Sequence, residues 1–583
     1  MIADNRPSPS RSVQVNTPRD FKTMAKDIPC QEACPAKTNI PEYIRLIAEG
    51  KPDEAHRINQ ECNVLPSVLG RICTRPCEDA CRHQWTNTRG PVRICHLKRS
   101  AAEEKPQPSS PLPEYFKTTG KRVAIVGGGP AGLAAGRELR RYGHEVVLFE
   151  REQVLGGQAR TGVPEFRLPV SAIEEDIQAI VDQGIETRLG QTIDARQLDA
   201  MTQEYEAVLL ATGANRPRQI HLEGLVDGAA IEGLNFMRCY NLSEPLEVAG
   251  DVVIIGGGFT AVDCARSARR LGGPDAKVTI MYRRSEAQMA ANEEELHELR
   301  HEGINIETLV SPVAVTLKNG RVTSISFTRN VLGIPDPDGR PSFHAVPDSE
   351  FTRPCSTLIY ATGQTPDTDV LPEGVLLNDN HITSNTRLFV AGDFATGNGD
   401  VIHAVADGKS AADAVDAFLM GQSRREKVVE IASIVDHEFV GRTRDDDLLD
   451  PPAMPVLPLA QRDRTAEVEL GFPADLADTH AWRCYLCNHK FEINQDKCIH
   501  CDWCIKAAPR NCILRLSHLE VDGDGSAVAW TEVDAASPEM ATYIWINSDE
   551  CIRCGKCLRA CPVGAITFRK ADIAHHSCHG CGT

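Results

Sequence analysis

Three things are scarce in this sequence: positive charge, long apolar runs and aromatic side chains. The formal charge is −18 over 583 residues. A nucleic-acid partner needs a basic face for its phosphates, so that class is excluded. Anionic membrane surfaces are disfavoured on the same ground. No apolar run approaches the roughly 20 residues that a membrane-spanning helix requires. The opening stretch, MIADNRPSPSRSVQV, lacks the charged-then-apolar order of a secretory signal. The expected location is therefore cytoplasmic, with a flexible N-terminal arm. Aromatics are 5% of the chain, but hydrophobic residues at 42% and charged residues at 25% are ordinary for a globular protein. The length is too great for one core and predicts about three or four domains.

Cysteine is also scarce, but only in the middle. Of 22 cysteines, seven lie between Cys30 and Cys95 and twelve between Cys484 and Cys581. Only Cys239, Cys264 and Cys355 lie between, and they read as small buried hydrophobes. In a large cytosolic chain, crowded cysteines point to metal rather than to disulfides.

The middle holds two dinucleotide signatures. KRVAIVGGGPAGLAAGRELRRYGHEVVLFE reads as strand, glycine turn, helix, strand. Gly127 permits the tight turn, Gly129 admits a pyrophosphate, and Gly132 lets the helix pack on the sheet, with Ala131 beside it. The helix N-terminus offers free N–H groups to the phosphates. Glu150 ends the second strand, where a carboxylate accepts from ribose hydroxyls. Gly157 follows in a second glycine pair. The next unit, DVVIIGGGFTAVDCARSARRLGGPDAKVTIMYRR, carries Gly256 and Gly258, with Ala261 in the third place. Its second strand ends in Arg283 and Arg284 instead of an acid, which favours NADP over NAD through the 2′-phosphate. Apolar runs breaking at Gly213 and Gly363, and AGD at Gly392 and Asp393, complete the pattern.

The order GGGPAG, GVPEFRLP, ATG, GGGFTA, YRR, ATG, AGD resembles the two-dinucleotide-domain flavoproteins of the glutamate synthase small-subunit family. The resemblance covers about residues 28–420. It implies FAD on the first unit, Asp393 on the ribityl-phosphate side of the flavin, and a nicotinamide unit inserted into the FAD unit. The fold class expected is α/β, with two Rossmann-like domains, an N-terminal helical iron–sulfur domain and a C-terminal α+β ferredoxin-like domain. The expected boundaries are 1–117 for the helical domain, 118–240 with 385–423 for FAD, and 241–384 for NAD(P). A surface linker over 424–480 and a ferredoxin domain over 481–583 follow, with an inserted hairpin over 515–546 turning at DGDG.

By the same resemblance, Cys34, Cys73 and Cys77 match three ligands of one [4Fe-4S] cluster. The fourth family position falls on Lys98, which cannot ligate while protonated. Cys95 lies one helical turn back and is the expected replacement. Cys30 and Cys81 match two ligands of a second cluster, whose usual cysteine pair is missing upstream. DTHAWRCYLCN, with Cys484 and Cys487, resembles that segment moved to the other end of the chain. Cys30, Cys81, Cys484 and Cys487 are thus one candidate site. A tetrahedral zinc site from Cys484, Cys487, Cys578 and Cys581 is the alternative, so the N-terminal domain holds one cluster or two. Cys62 reads as a core residue.

The C-terminal region carries two ferredoxin motifs. CIRCGKCLRACP is intact, with Cys551, Cys554, Cys557 and Cys561. CIHCDWCIKAAPRNC has Cys498, Cys501 and Cys504, but Ala508 stands where a fourth cysteine belongs. In two-cluster ferredoxins the fourth cysteine serves the other cluster. Cys561 then completes the Cys498 set. Cys512, about one turn beyond Ala508 if that segment is helical, is the expected substitute for the Cys551 set. A [3Fe-4S] cluster or a non-cysteine ligand is the alternative. The tail IAHHSCHGCGT is either a metal tract, a cap, a partner contact or a frayed end.

No acid–base or nucleophile constellation stands out, and electron relay needs none. A nicotinamide carries two electrons, clusters carry one, and a flavin connects them. The function expected is an NAD(P)H:acceptor oxidoreductase that passes electrons to a ferredoxin or to a partner catalytic subunit, such as a 2-oxoacid:ferredoxin oxidoreductase. A glutamate synthase small subunit and a redox-sensing iron–sulfur protein are the alternatives.

Overall fold

The computed structural model describes residues 26–86, 89–106, 108–273, 275–336, 339–378, 381–397, 399–434, 442–522 and 527–577. The expected N-terminal arm and the tail cysteines Cys578 and Cys581 lie outside them, as does most of the DGDG turn. The chain forms two compact units. One comprises 109–421 and 455–470, and the other 1–108, 422–454 and 471–583.

The central unit is built on two parallel sheets. The first has the order Leu388–Val390, Ala207–Leu210, Arg122–Val126, Glu145–Phe149, Glu186–Arg188. Its middle strands are continuous apolar runs, RVAIV and EVVLF, as strands covered on both faces require. Helix Pro130–Arg141 follows the first strand. The second sheet runs Ile231–Glu232, Thr357–Tyr360, Asp251–Ile255, Lys277–Tyr282, Asn305–Thr308. The strand Leu388–Val390 follows this second sheet in sequence but pairs in the first, so one Rossmann-like unit interrupts the other. The second unit begins earlier than the expected boundary at 241. Strand Ile231–Glu232 pairs in its sheet, and Phe236, Met237 and Tyr240 belong to its core. An antiparallel sheet of Val310–Lys318, Arg321–Pro335, Pro341–Ala345 and Phe351–Pro354 extends from it.

The other unit joins the two cysteine-rich ends. Helices Ile40–Ala48, Pro52–Asn63, Pro66–Ile72 and Ile94–Glu104 form the N-terminal part. Proline at the first or second position starts the first three of these, where its missing N–H costs nothing. Gly50, at φ +70°, follows the end of Ile40–Ala48. The C-terminal part holds one sheet of Arg425–Ser433, Ile566–Ser577 and His489–Ile493, and another of Ala527–Glu532, Ile513–Val521 and Tyr543–Ile546.

The segment expected as a surface linker, 424–480, is structured instead. Arg425–Ser433 is a strand along Ile566–Ser577, and Ala474–Ala481 is a helix. Arg442 and Asp447 are buried. Arg442 donates to the carbonyls of Ile552 (3.1 Å) and Arg483 (3.0 Å), and Asp447 accepts from the Tyr485 hydroxyl. Charge in RTRDDD made it look solvated, and Arg444 and Asp445 are exposed, whereas Arg442 and Asp447 find their partners inside. Residues 455–470 pack in the central unit, where the Val468 amide donates to the Phe166 carbonyl at 2.9 Å.

Candidate functional site: two dinucleotide turns and four groups of cysteines

At the first turn, backbone contact dictates glycine. Gly127 has φ +114°, and a Cβ there would lie 2.4 Å from the Ala211 carbonyl oxygen. A Cβ on Gly132 would lie 1.9 Å from the Gly127 oxygen. Glu150 is buried, and its two carboxylate oxygens accept from the amides of Gly128 (2.8 Å) and Glu152 (2.9 Å). The strand-end carboxylate therefore braces the turn. Gly129 and Gly157 face each other: a Cβ on Gly157 would approach the Gly129 Cα to 2.8 Å. Bare backbone on both sides leaves a groove suited to a pyrophosphate.

Asp393 begins a short helix, and its carboxylate accepts from the Gly399 amide at 3.2 Å. Burial pushes its pKa up. The Gly392 amide donates to Asp407 at 2.6 Å. Gly392 and Gly408 both press on Ala131: Cβ atoms there would come within 2.8 Å of its Cβ and 2.2 Å of its oxygen. Sequence reasoning missed Asp407 and Gly408, although ADGKSAAD carries the small-residue signal of close helix packing.

The second turn repeats the first. Gly256 has φ +144°, and a Cβ would lie 2.4 Å from the Ala361 oxygen. Ala261 is fully buried behind it. Gly258 meets nothing within 4 Å, so its approach is open. Gly213 and Gly363 have φ +72° and +105° after their strands, and Gly213 also faces open space. Arg283 and Arg284 end the second strand but differ: Arg283 is exposed and Arg284 is buried. Arg167, in the quoted GVPEFRLP stretch, binds Asp263 (2.7 Å) and Glu295 (2.6 Å).

Among the described residues no set of three or more His, Cys, Asp or Glu side chains is placed to hold a metal ion, but the sixteen candidate cysteines fall into four neighbouring sets. Cys34, Cys73, Cys77 and Cys95 form the first. Cys95, on helix Ile94–Glu104, makes thiol contacts with Cys73 and Cys77, and its amide donates to Glu78 at 2.9 Å. The Cys77 thiol is raised to about 11: its hydrogen bond with Cys95 works downward, but burial and the thiols of Cys73 and Cys34 outweigh it. Lys98 is buried beside them, its ammonium donating to Asn63 at 3.0 Å. Cys62 is only half-buried, so it is less a core residue than expected.

Cys30, Cys81, Cys484 and Cys487 form the second group, from both ends of the chain. All four are buried. Burial raises the Cys30 thiol, and Cys487, Cys81 and Cys484 raise it further. The segment carrying Cys484 is clamped. Arg483 donates to the carbonyls of Pro91 (2.8 Å) and Gly90 (2.9 Å), while His83 pairs with the Arg483 carbonyl (2.6 Å) and stacks on Tyr485. The alternative zinc set includes Cys578 and Cys581, which are outside the described residues.

Cys498, Cys501, Cys504 and Cys561 line one cavity. Cys512 joins Cys551, Cys554 and Cys557: it hydrogen-bonds to Cys551, which holds the Cys551 thiol below its ordinary range. It gets there without the expected helical turn. Helix Trp503–Ala507 ends at Ala508, whose ψ of 129° is extended, and Cys512 directly precedes strand Ile513–Val521. Three of the Cys498 group are half-exposed, whereas the whole Cys551 group is buried. Cys239, Cys264 and Cys355 are buried apart from all four groups.

Cysteines in fours and two glycine turns with opposite strand-end charges point to an iron–sulfur flavoprotein oxidoreductase. Comparison with known proteins gives the family. The family described as "Pyridine nucleotide-disulphide oxidoreductase" matches residues 121–408. "Dihydropyrimidine dehydrogenase domain II, 4Fe-4S cluster" matches 16–109, and "4Fe-4S binding domain" matches 544–567. The NADP(+)-dependent formate dehydrogenase subunit beta of Moorella thermoacetica is 33% identical over 508 residues, 79% of this chain and 70% of that one. The glutamate synthase [NADPH] small chain of Escherichia coli is 32% identical, over 67% of this chain and 88% of its own. The NADPH-Fe(3+) oxidoreductase subunit beta of Geobacter sulfurreducens is 37% identical over 60% of this chain, which spans about half (52%) of that relative. The chain belongs to the glutamate synthase small-subunit family of FAD- and NAD(P)-dependent oxidoreductases carrying [4Fe-4S] domains. No described helix is long and apolar enough to cross a membrane.

Proposed function

We propose that this chain is the electron-transfer subunit of an NADP(H)-dependent enzyme complex, working in the cytoplasm. It moves electrons between NADP(H) and a one-electron acceptor, which is a ferredoxin or the catalytic subunit of a 2-oxoacid- or formate-oxidising complex. When bound, the flavin exchanges two electrons with the nicotinamide and single electrons with the clusters.

The residues divide the work. Gly127, Gly129 and Gly157 hold the pyrophosphate backbone to backbone, Glu150 orients the ribose, and Asp393 faces the flavin side. Gly256, Gly258 and the arginines at the strand end hold the nicotinamide dinucleotide. Each of the four cysteine groups holds one [4Fe-4S] cluster, through Cys34/Cys73/Cys77/Cys95, Cys30/Cys81/Cys484/Cys487, Cys498/Cys501/Cys504/Cys561 and Cys512/Cys551/Cys554/Cys557. The observation that carries this reading is the convergence of Cys484 and Cys487 on Cys30 and Cys81.

The test is iron, acid-labile sulfide, zinc and FAD per chain after anaerobic purification. Four cubanes predict about sixteen irons and no zinc beside one FAD. About twelve irons with one zinc would overturn the composite site and leave the N-terminal part with one cluster.

A further inference from the structure

The stretch GVPEFRLP belongs in sequence to the first Rossmann-like unit, but its tip is buried in the second. Both of its ends are held in the first unit. Ahead of it, Gly157 faces Gly129 across the pyrophosphate groove, and the Gln158 side chain donates to the Ala214 carbonyl at 2.9 Å. Behind it, helix Val170–Val181 brings Ile173 and Ile177 within 2.9 and 3.3 Å of where a Cβ on Gly156 would stand. Between these ends the chain turns tightly, the amides of Arg167 and Leu168 both donating to the Pro164 carbonyl (2.9 and 3.0 Å).

The turn delivers Phe166 and Arg167 to the second unit. Phe166 is fully buried in that unit's core, with Phe236, Val262 and Leu296. The Arg270 guanidinium lies 3.7 Å from its ring centre. Arg167 forks between two helices: Nη1 donates to Asp263 at 2.7 Å and Nη2 to Glu295 at 2.6 Å. Asp263 is 3% exposed and stands about one turn into helix Phe259–Gly272, the helix that opens at Gly258. Asn241 closes helix Gly233–Asn241 and ties the neighbouring backbone, donating to the carbonyls of Thr161 (2.8 Å) and Val163 (3.0 Å). One short stretch therefore reaches both glycine turns, the first through Gly157 and the second through Asp263.

The chain passes from the first unit to the second and back along Arg216–Pro217 and Gln364–Thr365, two short strands paired antiparallel. A two-stranded ribbon is a weak restraint by itself. A guanidinium shared by carboxylates on two helices is a directional one. Buried ion pairs contribute little net stability compared with apolar packing, so what this fork adds is orientation.

We propose that Arg167 is a positioning residue for electron exchange between the two nucleotides: through Asp263 it holds the second glycine turn in a fixed orientation to the first, with Phe166 as the plug and Asn241 as a second tether. The inference rests on the reading that the two turns bind FAD and NADP(H). Arg167 acts through the helix behind Gly258 and is assigned no contact with either nucleotide.

The test separates binding from reduction in the full-length holoprotein. Calorimetric titration with 2′,5′-ADP reads the second turn alone, and rapid anaerobic mixing with saturating NADPH reads the bleaching of the flavin. Arg167→Ala is expected to keep its FAD and its affinity for 2′,5′-ADP, while the limiting rate of flavin reduction falls about 100-fold, the scale of a misplacement of about 1 Å. Asn241→Ala, which leaves the fork in place, should slow it by about tenfold. Arg167→Lys keeps the charge without the fork and should recover only part of the rate. Leu299→Ala opens a cavity in the second unit's core while leaving every tether in place. It should lower the melting temperature and keep a limiting rate near that of the wild type. If Arg167→Ala sheds its FAD, Asn241→Ala and Arg167→Lys carry the same comparison. A wild-type limiting rate in the Arg167 and Asn241 variants would overturn the proposal. So would a loss of rate in Leu299→Ala equal to theirs, or a loss of 2′,5′-ADP affinity that matches the loss of rate. A wild type that binds no 2′,5′-ADP, or whose flavin stays oxidised in NADPH, removes the dinucleotide reading instead.

Discussion

The dinucleotide turns and the cysteine groups are built in opposite ways. Most of what shapes the first turn, from Gly127 to Gly157, lies in one stretch, and Glu150 reaches back only to Gly128, although Ala211 presses on Gly127 and Gly392 and Gly408 press on Ala131. The cysteine group of Cys30, Cys81, Cys484 and Cys487 spans the chain almost end to end. The difference follows from what each ligand demands. A pyrophosphate is recognised by consecutive backbone amides, so its receptor is local. A cubane needs four thiolates arranged in space, and nothing requires them to be near in sequence. A local receptor is therefore vulnerable to one misplaced methyl group, and a composite one is vulnerable from either end.

The largest effect expected is at the local turn. Gly132→Val must push against the Gly127 oxygen, with no side chain that can yield. Overpacking of this kind costs about 3 kcal/mol or more. FAD absorbance per chain should fall to near zero and the central unit should melt earlier. Gly258→Ala, placed in open space, should leave the melting temperature nearly unchanged. If both variants melt alike, backbone contact is not what selects these glycines.

The composite site predicts symmetry. Cys30→Ser and Cys487→Ser, made at opposite ends of the chain, should each lower iron by about four per chain. Cys239→Ser, buried away from the groups, should lower it by none. An iron loss from one end only would break the comparison, because the two ends would then not share a cluster.

A smaller non-local contact sits in the central unit. Glu302 binds Arg266 and Arg270 (2.7 Å each) and Arg462 of the returning segment (2.9 Å). Burial alone would raise its pKa, but the hydrogen bonds and charges of Arg270 and Arg266 hold it down at about 2, against an ordinary value of 4.5. A depressed carboxyl contributes its stability above the unfolded pKa and loses it as the folded group is protonated. Glu302→Gln should therefore cost about 3 kcal/mol near neutral pH, as broken buried pairs do. The gap between variant and wild type should narrow as pH falls from about 4.5 towards about 2, in denaturant titrations at each pH.

The smallest effect belongs to a purely local feature. Asp194 caps helix Ala195–Glu204, accepting from the Gln197 amide in a capping box. Asp194→Ala should cost about 1 kcal/mol. Equal effects for Asp194→Ala and Glu302→Gln would erase the distinction between local and long-range contributions within the central unit.

Legibility followed the same division. The glycine turns and the strand-end Glu150 were legible because periodicity and glycine spacing report local backbone needs, whereas the interrupting second unit was implied by the family resemblance. The ferredoxin triples were legible because ligand spacing within a loop is fixed. The linker was misread because RTRDDD carries the composition of a solvated surface, while Arg442 and Asp447 find partners far away in sequence.

The sequence by itself determined that this chain has two nucleotide turns, that the first ends in an acid and the second in arginines, and that its cysteines come in metal-binding triples. Each of these rests on residues a few positions apart, where covalent geometry sets the relation. Only the tertiary structure decided that Cys484 and Cys487 come near Cys30 and Cys81, which arginine faces solvent, and that the two ends of the chain fold into one unit. Those relations depend on how helices and sheets pack, and packing brings together residues that no sequence spacing relates.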